Sequence, residues 1–263
     1  MERRDSGESM SIWAPDAALA AYHAGVTVVC ELSVRFAEDA WAAATPCPEW
    51  RAADLAGHLR CMADDYHEYL DDAPASRLAR LMSTNASAES LARKLARQNS
   101  AELAALPDVP GPEHIKAFAE SARSYGRRLP LSWDLPHHRY QETDVTVAAM
   151  AGAACAEWHL HAWDLARSLG KDYCPADPDT LAAGWRAGLP HLPLDLLAGT
   201  AESAAPDQSA VRHPAASCAV TPAGSVVLGG GGGRGNLAVG VGPAAAEESP
   251  AWTALLRASG RLP

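Results

Sequence analysis

Apolar residues recur at helical spacing through the first two thirds of the chain, and the pattern changes character near residue 190. Pro15 and Asp16 open a helix predicted to run to about Ala44, with Leu19, Tyr22, Val26, Val29 and Leu32 near one face. The turn TPCPEW breaks it, and a second helix is predicted from about Ala52 to Leu70 with Asp54 in its first turn. A third covers roughly Ala88 to Leu106, and a fourth runs from about Glu113 to Arg128. Residues 129–142 suggest an irregular connection, with room for a short hairpin. Thr143 or Asp144 is the expected cap of a long helix that Gly170 stops. One more helix is predicted over about 178–188.

Beyond residue 190, Ala, Gly, Pro and Ser dominate. Short apolar runs at 217–220, 225–228 and 237–241, separated by Gly and Pro, predict small strands. The glycine run at 229–233 lacks both a following helix and a Lys-Ser/Thr pair, so it predicts a hairpin tip or linker rather than a phosphate loop. Ser249-Pro250 opens a short terminal helix. The expected architecture is mainly α: an antiparallel four-helix bundle over 13–190, preceded by a disordered tail (1–12) and followed by a small α+β region (191–263).

Composition narrows the function. The chain has 263 residues and a net charge of −10, and it carries no basic cluster larger than a pair such as Arg127-Arg128, which argues against nucleic-acid binding. No apolar run approaches the roughly eighteen residues of a membrane span. MERRDSGES has no apolar stretch behind it, unlike a signal peptide. The six cysteines show no CxxC and no paired spacing, so neither a disulfide framework nor a thiolate zinc site is expected. Cys61 and Cys155 suggest small core residues, and the cytoplasm is the expected compartment.

Candidate chemistry sits in the long helix. Glu157 and His161 lie four residues apart, about 400° of helical turn, so both leave one face and can hold a metal ion between them. Their surroundings are apolar, where an unpaired polar group is costly. His58, between Leu55 and Leu59 on the second helix, is the best third ligand. Asp164 could orient a ligand histidine or pair with Arg167. Asp54, one turn before His58, could contact it or simply serve the helix start. His159 falls on the opposite face from His161, as a solvent or interhelix polar residue. Trp50 and Trp163 are expected to pack the bundle, and His137-His138 could line the mouth of the site or lie exposed.

Two stretches carry a resemblance. Thr45, Cys47, Trp50, Asp54-Leu55 and His58 form the first, and Glu157, His161, Trp163 to Ala166 and Gly170 the second. In order and spacing over roughly residues 13–190 they resemble the mycothiol-dependent maleylpyruvate isomerase family, within the DinB-like metalloenzymes. That resemblance implies a four-helix bundle holding zinc or another divalent metal through His58, Glu157 and His161, with mycothiol as cosubstrate. Family members often end in a Leu-rich helix with a Gly-Arg near it. The glycine-laden region departs from that pattern, leaving Arg212 and Arg234 as candidates for a substrate-binding arginine, beside His138.

Two imidazoles and a carboxylate suit a borderline ion and leave a coordination position for a thiol sulfur, which becomes thiolate when bound. Thiolate attack on an electrophilic small molecule gives an S-transferase, and release after bond rotation gives an isomerase. A metal hydrolase and a non-catalytic ligand-binding bundle are the alternatives. The general base is not identifiable from the sequence.

Overall fold

The computed structural model describes residues 15–47, 50–71, 88–140, 143–189 and 249–262. Four helices form the bundle: α1 (Pro15–Ser33), α2 (Ala52–Asp71), α4 (Gly111–Ser132) and α5 (Val147–Ser168). Helix α3 (Ala88–Ala105) packs on α2, α6 (Pro178–Gly188) on α5, and α7 (Pro250–Ala258) on α6. Strands β1 (Pro136–Tyr140) and β2 (Thr143–Thr146) make an antiparallel hairpin between α4 and α5.

The bundle closes because each helix carries an apolar stripe of helical period. Tyr22, Val26 and Val29 face inward from α1, and Phe118, Ala122, Tyr125 and Leu129 from α4. The Tyr22 hydroxyl donates to the Ala122 carbonyl at 2.9 Å, which ties the two helices. Helix α5 is buried almost all round, from Met150 to Ala166, since α1 covers one side and α6 another.

Three boundaries differ from the sequence expectation. The first helix ends at Ser33 and not near Ala44, because the chain turns so that Phe36 and Trp41 stack at 4.7 Å. Residues Glu38–Ala42 form only a 3-10 turn there. Helix α4 continues past Arg128 to Ser132, carrying Pro130 in its last turn. Thr146, rather than Thr143 or Asp144, caps α5 by accepting from the Ala149 amide at 3.2 Å, because strand β2 takes up 143–146. Gly170 ends α5 as expected, at φ 65°, with Lys171 donating back to the Ala166 carbonyl at 2.9 Å.

The terminal helix shares the bundle's core: Trp252, Leu255 and Leu256 are buried with it. The strands expected at 217–241, the glycine run, Arg212 and Arg234 lie outside the described residues. Among the described residues, no helix is long and apolar enough to cross a membrane.

Helices α5 and α6 approach closely at glycines. A Cβ on Gly188 would fall 2.3 Å from the Ala149 carbonyl oxygen and 2.6 Å from the Ala153 Cβ. Gly188→Ala should therefore push α6 off α5 and cost about 1–3 kcal/mol, the usual range for overpacking. Urea denaturation checks this, and an unchanged midpoint would contradict the close approach.

Candidate metal centre

His161 is the hub of the site. Its ring lies edge-to-face with that of His58, 5.1 Å between centroids, joining α5 to α2. Its Nε2 lies 3.5 Å from Glu157 Oε2, beyond ordinary hydrogen-bond length. Its Nδ1 lies 2.9 Å from Asp164 Oδ2. A carboxylate there requires the proton on Nδ1, so His161 Nδ1–H donates to Asp164. Nε2 is thereby the ring nitrogen on the Glu157 side, the one that a neutral ring would offer to a metal.

His58 is 4% exposed, and its Nδ1 has no hydrogen-bond partner. Burial, with His161 and Arg261 adding to it, drives its pKa well below the ordinary histidine value. The ring is therefore neutral, the form that binds metal. Trp50 covers it at 4.6 Å between ring centroids. Glu157 is the most open of the three, its side chain 20% exposed. Two imidazoles and a carboxylate, with an orphaned buried nitrogen and a 3.5 Å gap, fit a cation better than they satisfy one another.

Behind His161 stands a second group. Asp164 is fully buried and receives Arg261 Nε at 2.8 Å on Oδ1 and Arg261 Nη2 at 2.6 Å on Oδ2. Burial alone would raise its carboxyl, but the His161 hydrogen bond and the Arg261 guanidinium overcome that and hold it at about 2. Cys47 Sγ donates to the same Oδ2 at 3.2 Å. Burial, and then the neighbouring Asp164 charge, push the Cys47 thiol up to about 12, so it stays protonated. The loop holding Cys47 is pinned by Thr45, whose Oγ1 accepts from the Cys47 amide at 3.1 Å and donates to the Trp50 carbonyl at 3.0 Å. Among the described residues, Cys47, His161 and Asp164 are the set whose ligand atoms all lie within 4.8 Å of one another, so they could hold a metal. Arg261 already fills that position: its Nη2 lies 3.1 Å from His161 Nδ1 and 3.9 Å from Cys47 Sγ.

Arg261 reaches the site because Gly260 adopts φ 75° at the end of α7, and the Arg261 amide folds back to the Leu256 carbonyl at 2.8 Å. Among the described residues the arginine at the site is Arg261, which the sequence did not single out; Arg212 and Arg234 lie outside the described residues. Asp164 pairs with it and not with Arg167, which instead holds Asp172 at 2.7 Å. Asp54 serves the helix start: its carboxylate accepts from the Arg51 amide at 2.8 Å.

His138 is not brought to this site. His137 and His138 are buried with their Nδ1 atoms 2.8 Å apart. They lie under Tyr69, whose hydroxyl donates to the His137 carbonyl at 2.5 Å. Tyr69 stands eleven residues along α2 from His58, about 16 Å at ~1.5 Å per residue. The expectation that this pair lines the mouth or lies exposed is corrected, because the aromatic end of α2 covers it. His159 is likewise buried, bonded to Tyr173 Oη and, at 3.0 Å, to the Ala21 carbonyl, which makes it an interhelix residue and not a solvent one.

These buried imidazoles give a pH prediction. Burial lowers His137 to about 2, and His138 and His159 to about 4, against about 6.5 in the unfolded chain. The unfolded state therefore takes up protons that the folded state refuses. Stability is full above pH ~6.5 and declines as pH falls toward 4, by on the order of a few kcal/mol in all. Thermal denaturation at pH 7 and pH 5 should show the lower Tm at pH 5, and equal values would contradict neutral burial.

The family model for the mycothiol maleylpyruvate isomerase N-terminal domain matches residues 22–166. No curated protein and no solved structure matches the chain.

Proposed function

Because the chain belongs to the mycothiol maleylpyruvate isomerase N-terminal domain family, we propose that it is a metal-dependent enzyme using mycothiol as the sulfur donor to an electrophilic small molecule. What supports this reading is the buried His58 ring, with an unpartnered Nδ1, set edge-on to His161, and Glu157 Oε2 3.5 Å from His161 Nε2. A divalent ion such as zinc, bound there, would lower the pKa of a thiol so that it reacts as thiolate at neutral pH.

The chain's own side chains prepare that position. Asp164 fixes the His161 tautomer so that Nε2 faces the ligand set, and Arg261 balances the Asp164 charge. Trp50 lies against the His58 ring and shields it. Glu157, the most exposed ligand, marks the side from which a thiol enters. Cys47 keeps its proton, so it does not compete as nucleophile, and the reacting sulfur comes from outside the chain. A cytoplasmic setting belongs to this reading.

The family's description favours a second reading, isomerisation, in which the thiol adds to a maleylpyruvate-type double bond, the bond rotates and the thiol leaves. Mass spectrometry of products from the zinc-loaded protein, mycothiol and candidate electrophiles separates the two. A thioether heavier by the thiol supports transfer, and an unchanged mass with altered geometry supports isomerisation. Turnover without any thiol would contradict both and favour hydrolysis by bound water.

A further inference from the structure

Arg261 occupies a set of metal-ligating groups on the Nδ1 side of His161, which shares that ring with the His58, Glu157 and His161 position. Cys47 Sγ, Asp164 Oδ2 and His161 Nδ1 surround its guanidinium, and the two closest contacts between ligand atoms are 2.9 Å (His161 to Asp164) and 3.2 Å (Cys47 to Asp164). A tetrahedral zinc-like ion with ordinary bond lengths would separate those pairs by roughly 3.4 and 3.6 Å. Opening the set by about half an ångström would therefore admit a cation in place of the guanidinium. The donors are a sulfur, a nitrogen and an oxygen, a combination suited to thiophilic divalent ions.

We propose that Cys47, Asp164 and the Nδ1 edge of His161 form a second metal-binding set, specific for thiophilic divalent cations, which the guanidinium of Arg261 keeps closed. Arg261 stands two residues from the end of the sequence, beyond the turn at Gly260. It is the internal cation that neutralises Asp164, a carboxylate with no solvent exposure. Without it, the buried charge is left unpaired, and the site gains a strong demand for another cation. Entry of a metal ion releases the Cys47 thiol proton to solvent, and the thiolate bonds the ion; the His161 proton moves from Nδ1 to Nε2, or leaves as well where Nε2 already bonds a metal. With Arg261 in place, Cys47 stays a thiol beside the first site and cannot take the position meant for an external sulfur.

Cobalt(II) tests this on the full chain, because thiolate-to-cobalt charge transfer gives a near-ultraviolet band that nitrogen and oxygen ligands lack. The wild type, Arg261→Ala, Arg261→Gln and Arg261→Ala with Cys47→Ser are stripped of metal and titrated, with circular dichroism recording that each is folded. The expected result is no charge-transfer band in the wild type, a band worth one thiolate per chain in both single variants, and its loss in the double variant. Cobalt uptake should rise by one equivalent in the single variants. A folded Arg261→Gln protein without the band overturns the proposal, as does a band that survives Cys47→Ser or one already present in the wild type. The band reports Cys47 alone, so its appearance does not depend on whether His58, Glu157 and His161 hold a metal.

Discussion

His161→Ala is expected to yield a folded, helical protein that has lost its metal and its activity together. The side chain supplies one edge to His58, one nitrogen toward Glu157 and the other to Asp164. Alanine removes a ligand and disconnects the remaining two, so metal affinity should fall by at least about 100-fold, more than loss of an outer partner costs. The fold survives because α5 is held by Met150, Trp158 and Leu165 in the core, none of which depends on the imidazole. Metal analysis after dialysis, beside far-ultraviolet circular dichroism, reads both halves of the expectation. One metal per chain in the variant would remove His161 from the ligand set.

Asp164→Ala should be the most destabilising substitution near the site. It leaves the Arg261 guanidinium, 8% exposed, without the carboxylate that holds it by three hydrogen bonds within 3.0 Å. Breaking a buried ion pair from one side costs about 3–5 kcal/mol, much of it from the uncompensated charge that remains. The same change frees the His161 ring, so metal affinity should also fall about 10–100-fold. Denaturant unfolding and metal competition measure the two effects. The depressed Asp164 carboxyl adds a sign: its stabilisation is present above pH ~3.9 and disappears as pH falls through about 2. An Asp164→Ala protein of wild-type stability would mean that Arg261 finds solvent easily and that the buried pair is not what anchors the chain end.

Much of this was legible in the sequence, and the parts that were not share a cause. Helical spacing located α2, α3, α6 and α7 to within a residue or two, since their stripes are bounded by Pro, Asp or Gly. It overran α1, because an alanine-rich stretch favours helix locally while the Phe36–Trp41 stack imposes a turn. It also placed the α5 cap two or three residues early, because the hairpin that consumes Thr143 and Asp144 is set by pairing with 136–140.

At the site, helical spacing brought Glu157 to His161, and Asp164 was in view as an orienting residue. Cys47 was visible only as a word in a motif. Its role depends on a contact 117 residues away, which no local pattern encodes. Arg261 could have been found: Leu255-Leu256 followed by Gly260-Arg261 is the Leu-rich helix with a nearby Gly-Arg that the resemblance led one to seek. The glycine-laden region drew attention to Arg212 and Arg234 instead. His137 and His138 looked exposed because loop histidines usually are, whereas the Tyr69 ring stacks on His137 and both are buried.

X-ray absorption at the zinc edge, on the zinc-loaded protein without added thiol, tests the central claim most directly. The ligand set of His58, Glu157 and His161 predicts nitrogen and oxygen neighbours alone, at about 2.0–2.2 Å, with the multiple scattering of two imidazoles. A sulfur neighbour at about 2.3 Å would place the metal on Cys47 instead and contradict the account.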